Sequence, residues 1–239
     1  MDQKNGGISV FFPAFNDEKT IGVLVSQALD LLPTLTEDYE VLVINDGSAD
    51  STQEVLEELA RGSANLKLVR HERNLGYGAA LRSGFIHASK ELVFYTDGDG
   101  QYDVREIANL LPLMTSNLHV VNGYKIRRSD AAHRKLAGAI YNRMARLFFQ
   151  LPIRDVDCDF RLIKRSALRS IDLTVSGGAV CVELVYKLRR SGCTFAEIPV
   201  HHYPRAHGRS QFFKPRHVAR TARDLCMMWL RLVALGRTR

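Results

Sequence analysis

The chain has 239 residues, of which 46% are apolar and 25% are charged, and this composition excludes a disordered chain, a collagen-like repeat and a small disulfide scaffold. The net charge of +7 is unevenly distributed. Residues 1–120 carry 9 Lys and Arg against 18 Asp and Glu, whereas residues 121–239 carry 24 against 8. The basic half predicts an anionic partner. Charge alone does not decide whether that partner is nucleic acid, a lipid headgroup or a phosphorylated substrate.

Cysteine usage and hydropathy bear on the cellular compartment. The four cysteines form no C-x-x-C pair, so neither a zinc site nor a disulfide framework is indicated, and a reducing cytosol is favoured. The N-terminal MDQKNGGISV lacks the pattern of a signal peptide. The longest apolar run near the C-terminus, residues 225–230, is far below the roughly 20 residues of a membrane span. We therefore expect a cytoplasmic protein that does not cross a bilayer.

The first half alternates strand-like and helix-like segments. Helical patterns separate the apolar runs, and Ser51 with Glu54 is typical of a capping box at a helix start. This alternation predicts an α/β fold whose mostly parallel sheet is covered by helices on both faces, with ligands beyond the carboxyl ends of the strands. The predicted strands are 8–12, 41–44, 66–69, 92–95 and 119–121, and the predicted helices are 18–32, one from 51, 79–88 and 104–114.

The second half is more basic. It contains a predicted helix over 131–149, a carboxylate-rich segment over 155–161, a helix over 180–190, a strand over 194–200 and a basic loop before Pro215. No Pro/Gly/Ser linker marks the charge change near Asn122. We therefore expect one domain over residues 1–214, with a nucleotide-sugar part (1–122) and an acceptor part (123–214), followed by a C-terminal helix over 215–239.

The last helix is amphipathic. At about 100° per residue, four arginines fall within an arc of roughly 80° and five apolar residues lie opposite. This pattern is typical of an interfacial membrane helix, and equally of a helix that packs on the core and exposes its arginines. The arginines are Arg216, Arg220, Arg223 and Arg231, and the apolar residues are Val218, Leu225, Trp229, Leu232 and Val233.

Small polar clusters follow four predicted strands, at one edge of the sheet. They are Pro13-Ala14-Phe15-Asn16-Asp17-Glu18, Asn45-Asp46-Gly47-Ser48-Ala49-Asp50-Ser51, Arg73-Asn74-Leu75-Gly76-Tyr77-Gly78 and Asp97-Gly98-Asp99-Gly100-Gln101-Tyr102-Asp103. Such residues favour turns, but four clusters at successive strand ends indicate a binding site. Asp97 and Asp99 would repel each other unless a divalent cation such as Mg²⁺ or Mn²⁺ lay between them and substrate phosphates.

In combination, these motifs resemble the family 2 glycosyltransferases of the GT-A fold. The matching stretches are VFFPAFNDEKTI, VLVINDGSADST, RNLGYGAALRSGF and YTDGDGQYD. GYKIRR, HRKLAGAIYNRMARLFF, RDVDCDFRLIKR and YPRAHGRSQFF add a similarity to the dolichol- or polyprenyl-phosphate mannose synthases. The resemblance covers about residues 7–215 and implies a single Rossmann-like domain with a basic C-terminal acceptor region and an amphipathic helix.

The resemblance implies a role for each matching position in donor binding. Asp97, Asp99 and Gln101 would lie at the metal and diphosphate, and Asp46 would contact the nucleotide base, although Asn45 replaces a second Asp common in the family. The further positions implied to bind the nucleotide sugar are Pro13, Phe15, Asn16, Glu18, Asn74, Gly76, Gly78 and Arg82. The resemblance thus implies Mg²⁺ or Mn²⁺ as cofactor.

The resemblance also implies residues for catalysis and for the acceptor. Asp99, Asp159 and Arg205 are the expected catalytic residues, with Asp159 just before the Phe-Arg pair as a base or acceptor-site residue. Arg205 would belong to a loop that closes on both phosphates. The residues expected at the acceptor phosphate are Arg127, Arg134, Arg161, Arg205 and Ser210. Glu183 is a weaker candidate that reads equally well as a structural acid.

The sequence thus predicts an inverting glycosyltransferase that moves a hexose from a GDP-mannose or UDP-glucose type donor to polyprenyl phosphate. We expect it on the inner face of the membrane, attached through its basic C-terminal helix or through an integral partner. The first alternative is a transferase acting on a sugar hydroxyl of a glycan or glycolipid in cell-envelope synthesis. A nucleic-acid-binding module would leave Asp97 and Asp99 unexplained, and a nucleotidyltransferase would need a basic glycine-rich loop after the first strand, which is missing.

Overall fold

A seven-stranded sheet forms the centre of the molecule. The computed structural model describes residues 6–126, 132–205 and 215–236, without the side chains of 132–137, 215 and 217. Within these residues, β1 to β5 are each longer than the apolar runs that predicted them. The strands are β1 (Ile8–Ala14), β2 (Tyr39–Asn45), β3 (Leu66–Arg70), β4 (Leu92–Thr96), β5 (Val120–Ile126), β6 (Phe160–Lys164) and β7 (Phe195–His201).

The strand order is β3-β2-β1-β4-β6-β5-β7, and only β6 runs antiparallel to its neighbours, β4 and β5. The mostly parallel sheet is therefore confirmed. Strand β6 was not predicted, because the fully buried Arg161 interrupts the apolar run FRLIK and made its start look like part of a polar loop. The strands of the second half thus extend the sheet that the first half begins.

Helices cover both faces of the sheet, each over its own apolar cluster. They are α1 (Ile21–Leu35), α2 (Thr52–Arg61), α3 (Tyr77–His87), α4 (Ile107–Leu110), α5 (Ala132–Phe149), α6 (Arg165–Leu168), α7 (Val180–Arg190) and α8 (Pro215–Trp229), with a π-helical turn at Leu230–Ala234. The single helix predicted over 104–114 is instead α4 between the 3₁₀ turns Val104–Glu106 and Leu111–Leu113. The second turn contains Pro112, which cannot continue an α-helix.

The predicted capping box is wrong. The Ser51 side chain makes no capping hydrogen bond. Instead, Asp50 Oδ1 accepts the Thr52 N–H at 3.1 Å, and the Ser51 N–H is donated to Glu18 Oε2 at 3.0 Å. A carboxylate from the loop after β1 therefore satisfies the start of α2, which ties the first two strand-end loops together.

Helix α8 packs on the core through its apolar side. Met228 and Leu232 are buried, the Trp229 Nε1–H donates to the Phe148 carbonyl at 3.1 Å, and the Tyr186 hydroxyl donates to the Leu232 carbonyl at 3.0 Å. The sequence allowed either a helix at a membrane interface or a helix packed on the core. Packing on the core accounts for the buried apolar residues. No helix within the described residues is long and apolar enough to span a bilayer.

The strand order places a crevice at the centre of the sheet. Helices α1 and α3 follow β1 and β3 on opposite faces of the sheet. Strands β1 and β4 are adjacent and parallel, and the strands that follow them lie on opposite sides of this pair, β2 and β3 beyond β1 and β5 to β7 beyond β4. In open α/β sheets, ligands bind at such a switch point, beyond the carboxyl ends of the strands. The loops after Ala14 and Thr96 are therefore where the fold places a site.

Candidate active site

The loops after β1 and β4 contact each other directly. The Gly98 N–H donates to the Pro13 carbonyl at 3.2 Å, and the Thr20 hydroxyl donates to the Gly98 carbonyl at 2.8 Å. A Cβ at Gly98 would lie 2.8 Å from the Pro13 oxygen, so only glycine allows this approach. Glycine between Asp97 and Asp99 thus fixes both carboxylates at the switch point.

Asp97 is a partly buried acid that accepts a hydrogen bond from a tyrosine. The Tyr77 hydroxyl, at the start of α3, donates to Asp97 Oδ1 at 2.7 Å. Burial and the nearby carboxylates of Asp159 and Asp99 raise the pKa of Asp97 well above its usual value, more than the Tyr77 hydrogen bond and Lys125 lower it. Three acids therefore share a space that favours a bound cation.

Asp99 is paired with an arginine from the segment that directly follows β7. Arg205 Nη2 donates to Asp99 Oδ2 and, at 3.3 Å, to Gln101 Oε1. The backbone of this segment is fastened as well, because the Tyr203 N–H donates to the Gln101 carbonyl at 2.8 Å. Burial raises the pKa of Asp99, although Arg205 opposes the shift. The structure thus brings together the predicted residues Asp99, Gln101 and Arg205.

Asp159 lies close to Asp97 and Asp99, just before β6. Its Oδ1 is 3.1 Å from the Cys181 Sγ, and the Tyr95 hydroxyl is 3.5 Å away. The carboxylate is largely buried and is close enough to raise the pKa of Asp97. Sequence reasoning named Asp159 but missed Tyr95 and Cys181, since a tyrosine inside a strand and a cysteine inside a helix read as core residues.

The three aspartates suit a divalent cation shared with a substrate. Within the described ranges, no group of three or more His, Cys, Asp or Glu side chains is arranged to hold a metal by itself. Mg²⁺ and Mn²⁺ prefer oxygen ligands, and Mg²⁺ commonly binds through one or two carboxylates plus substrate phosphates. Asp97 and Asp99 supply such oxygens where burial and mutual repulsion favour a positive charge. The residues present therefore fit the cation.

Asp17 is a further acid at this site that the sequence analysis did not single out. Its Oδ2 accepts the Phe15 N–H at 3.0 Å, and a Cβ at Gly98 would lie 3.4 Å from that oxygen. Burial raises its pKa to about 6, with a further contribution from Asp99. The sequence could have identified Asp17 as a site residue from its position in the cluster after β1, because the acids of that cluster all follow the same strand end.

The loop after β2 is organised by Asp46. Its Oδ1 accepts the Leu75 N–H and its Oδ2 accepts the Gly76 N–H, both at 2.9 Å. The Nδ1 of His71 lies 2.6 Å from Oδ1, and the carboxylate is buried. Asp46 therefore positions the segment from His71 to Gly76, and its contact with a nucleotide base stays a prediction.

Gly76 and Gly78 allow a close approach of backbone, but from the protein itself. Gly76 has a φ of 98°, and a Cβ there would lie 2.5 Å from the Ser176 carbonyl oxygen. The Gly78 N–H donates to the same oxygen at 2.9 Å. In the structure these glycines allow the approach of the segment at Val175 and Ser176, and their predicted contact with a nucleotide stays a prediction. Asn74 is exposed beside them.

Glu183 and Arg82 hold that segment in place. The buried Glu183 carboxylate accepts N–H groups of Thr174 at 3.0 Å and Val175 at 2.9 Å, and pairs with Lys187 at 3.0 Å. Arg82 donates to the Val175 carbonyl at 3.0 Å. Glu183 therefore has the structural role that the sequence left open.

Residues after β1 that we expected to bind the nucleotide sugar make hydrogen bonds with the loop after β2. Asn16, whose φ is 58°, accepts the Ala49 N–H at 2.8 Å, and its own N–H donates to Ser48 Oγ at 3.0 Å. Glu18 caps α2, Pro13 is buried at the end of β1, and Phe15 is partly exposed. This pairing fixes the loop shape, while the nucleotide contacts of these residues stay predictions.

Arg161 does not fit the phosphate contact expected of it. Its guanidinium is fully buried and donates to Asn122 Oδ1 and Tyr95 Oη, both at 2.5 Å, and to the carbonyls of Val156 and Cys158. These partners occupy its donors inside the protein, so it stabilises the core below Asp159. Arg127 and Ser210, and the side chain of Arg134, lie outside the described residues.

Comparisons with known proteins agree with this architecture. The family model "Glycosyl transferase family 2" matches residues 9–172. Crystal structures of glucosyl-3-phosphoglycerate synthase from Mycobacterium tuberculosis are similar in fold. The complex with Mn²⁺, UDP and phosphoglyceric acid has a TM-score of 0.69 and 20% identity, covering 94% of this chain and 78% of that chain. The complex with Mg²⁺ and UDP has a TM-score of 0.67. The predicted GT-A fold is confirmed.

Curated relatives show a more specific similarity. A dolichyl-phosphate beta-glucosyltransferase of Trichomonas vaginalis is 29% identical over 210 residues, which is 81% of this chain and 64% of that protein. An undecaprenyl-phosphate 4-deoxy-4-formamido-L-arabinose transferase of Salmonella choleraesuis is 27% identical over 206 residues, which is 86% of this chain and 62% of the relative. The chain thus spans less than two thirds of these relatives. With the family model matching well over half of its length, the chain belongs to glycosyl transferase family 2.

Proposed function

We propose that this chain transfers a hexose from a nucleotide sugar to polyprenyl phosphate with inversion at the anomeric carbon. The observation that carries the proposal is the group of aspartates at the switch point: Asp99 and Asp159 are buried, Asp97 is partly buried, and Arg205 lies beside Asp99. The similarity to a dolichyl-phosphate and an undecaprenyl-phosphate transferase supports the acceptor class.

The reaction joins an acceptor phosphate oxygen to the anomeric carbon while the bond from that carbon to the donor diphosphate breaks. Asp97 and Asp99, with Gln101 beside them, would hold Mg²⁺ or Mn²⁺, which neutralises the leaving diphosphate. Arg205 is the described cation best placed to accompany that charge, because it already reaches both Asp99 and Gln101. With Asp99 holding the cation, Arg205 would be free to donate to phosphate oxygens of the substrate.

The acceptor is proposed to enter on the side of the second half of the chain, residues 123–214. A lipid phosphate is already an anion, so it needs positioning and charge matching more than a base. With this acceptor, Asp159 would repel the acceptor phosphate and so keep it away from Asp97 and Asp99. With a hydroxyl acceptor, Asp159 would act as a base. Arg127, Arg134 and Ser210 remain candidates for the acceptor phosphate.

We further propose that the protein works at the inner face of the membrane. The described arginines of α8 are exposed and would attract an anionic surface, while the apolar side of that helix packs on the core. An integral partner would be a second means of attachment.

Transfer can be tested with liposomes that contain polyprenyl phosphate and with radiolabelled GDP- and UDP-sugars in the presence of Mn²⁺. The expected product is an organic-extractable sugar lipid. Asp97→Asn with Asp99→Asn should abolish it, whereas Asp103→Asn is the matched control, because Asp103 lies in the same loop and pairs with Arg105.

Label that appears only in a water-soluble glycan would overturn the lipid-phosphate acceptor and favour a hydroxyl acceptor. In that case Asp159→Asn should eliminate turnover while donor binding persists. A thermal-shift comparison of GDP- and UDP-sugars would identify the donor nucleotide, because the bound nucleotide stabilises the folded state by mass action.

A further inference from the structure

Exposed apolar side chains are concentrated on two neighbouring helices. Of fourteen large apolar residues that are exposed in the described part of the chain, eight lie on α5, α8 and the turn after α8. They are Ile140, Met144, Leu147, Phe148, Val218, Met227, Leu230 and Leu235. Contiguous exposed apolar surface of this kind marks an interaction site rather than ordinary surface.

The outward side of α5 is apolar where a helix on a water-exposed surface is polar. Asn142, Ala145 and Phe149 face the core and are buried. At 100° per residue, Ile140, Met144 and Leu147 lie within about 60° of one another on the opposite side. They are 51%, 52% and 73% exposed. We call these three residues the α5 stripe. Helix α5 is therefore apolar on two sides.

The α5 stripe continues toward α8 at one end. Phe148 lies next to Leu147, and its ring meets the Trp229 ring edge-on at a centroid distance of 6.4 Å. The Trp229 Nε1–H also donates to the Phe148 carbonyl. The next residue, Leu230, begins the π-helical turn and is half exposed. The amphipathic indole thus lies where the stripe reaches the second helix, as at a bilayer interface.

Basic side chains border this apolar surface. Arg143 and Arg146 are exposed on one flank of the α5 stripe, and Arg223 and Arg231 are exposed on α8. Asp224 pairs with Arg223 at 3.0 Å and with Arg220 at 3.8 Å, so the acid offsets one of these charges. The remaining excess of arginine complements a negatively charged surface.

We propose that the α5 stripe inserts into the interfacial layer of an anionic bilayer, with Arg143 and Arg146 on its headgroups and Trp229 at the water boundary. This extends the membrane association proposed above and moves the inserting surface from α8 to α5. It rests on the proposed function only in supposing that the acceptor is a lipid.

Flotation of the full chain with vesicles that contain no polyprenyl phosphate tests this proposal. Vesicles of phosphatidylcholine with 30% phosphatidylglycerol should carry the wild type, and neutral vesicles should carry much less. Ile140→Gln with Met144→Gln and Leu147→Gln should reduce partitioning at least tenfold. The matched control is Val23→Gln with Ile86→Gln, since these helical residues are 59% and 77% exposed on α1 and α3.

Trp229 gives a second readout, because it is the only tryptophan in the chain. Its emission should shift to shorter wavelength when anionic vesicles are added to the wild type, and the shift should be lost in the α5 triple variant. Arg143→Gln with Arg146→Gln should weaken binding to anionic vesicles and leave binding to neutral vesicles unchanged.

Equal flotation of the triple variant and the wild type would overturn the proposal. So would a wild-type dimer in light scattering that becomes a monomer in the triple variant with vesicle binding intact, since a second copy would then cover the stripe. Activity on a water-soluble short-chain polyprenyl phosphate separates the two proposals. Transfer without vesicle binding defeats only this inference, and vesicle binding without transfer defeats only the proposed function.

Discussion

Two aspartate-glycine turns follow neighbouring parts of the same sheet, and they differ in what their carboxylates meet. Asp46, after β2, accepts two backbone N–H groups at 2.9 Å and contacts His71. Asp97, after β4, accepts a tyrosine hydroxyl, and burial with the carboxylates of Asp159 and Asp99 raises its pKa more than Lys125 lowers it. The protein saturates the carboxylate of the first turn with hydrogen-bond donors, whereas at the second turn negative charge outweighs the positive charge that the protein supplies.

The difference shows that residue type and position at a strand end do not decide whether an acid builds the scaffold or the chemistry. What decides it is the count of protein donors around the carboxylate. Donors from the 71–76 segment make Asp46 a structural acid, and the close acids at Asp99 and Asp159 make Asp97 a candidate ligand. The predictions below test this contrast.

The largest expected effect is on activity. Asp97→Asn with Asp99→Asn should reduce sugar transfer on the order of a thousandfold, because the oxygens that would hold the cation lose their charge. The free energy of unfolding without ligands should change little, since relief of the repulsion between the two carboxylates offsets the loss of the Asp99–Arg205 pair. Kinetic assays and urea denaturation measure the two quantities. A large loss of stability would mean that the pair is structural.

The next largest effect should be on stability. Asp46→Asn turns an amide donor toward backbone N–H groups of Leu75 and Gly76, and should lower the free energy of unfolding by about 2 kcal/mol. Urea denaturation measures the change, and Asp30→Asn on α1 is a control acid with no described hydrogen bond to a backbone N–H. An unchanged stability with altered GDP against UDP preference would instead support the predicted base contact.

A smaller effect should appear in the pH dependence of stability. Burial raises the pKa of Asp17 from 3.8 to about 6, so the folded state holds a proton that the unfolded state releases. The contribution of Asp17 to stability is therefore fully present below pH 4 and is lost as the pH rises to about 6. Over that interval the free energy of unfolding of the wild type should fall relative to that of Asp17→Asn, because the asparagine does not ionise. Denaturation midpoints at several pH values report it.

The smallest effect concerns the hydroxyl beside Asp97. Tyr77→Phe removes the donor at 2.7 Å and should weaken Mn²⁺-dependent donor binding by about tenfold, a cost of roughly 1.4 kcal/mol. The expected signature is a higher KM for the donor with a nearly unchanged melting temperature. Tyr39→Phe, at the start of β2 and so at the opposite end of the strands, is the control, and equal donor KM values in the two variants would contradict a positioning role for Tyr77.

Most of the architecture was legible in the sequence. The apolar runs that became β1, β2 and β4 are nearly continuous, because strands covered on both faces need no polar side, and the ends of β1 to β4 bring the four polar clusters to one edge. The Asp97-Gly98-Asp99 turn could be placed for the same reason. Strand β6 could not, because its buried arginine has no signature until Tyr95 and Asn122 are seen around it.

The sequence by itself determined the family, the order of the elements and the acids at the switch point, since these depend on local periodicity and on motifs along the chain. Only the tertiary structure decided that Arg161 is a core residue, that Gly76 and Gly78 receive the Ser176 carbonyl, and that Arg205 lies on Asp99. Each of these is a contact between segments about 100 residues apart or a matter of burial. Such contacts depend on how the layers pack, which no local pattern encodes.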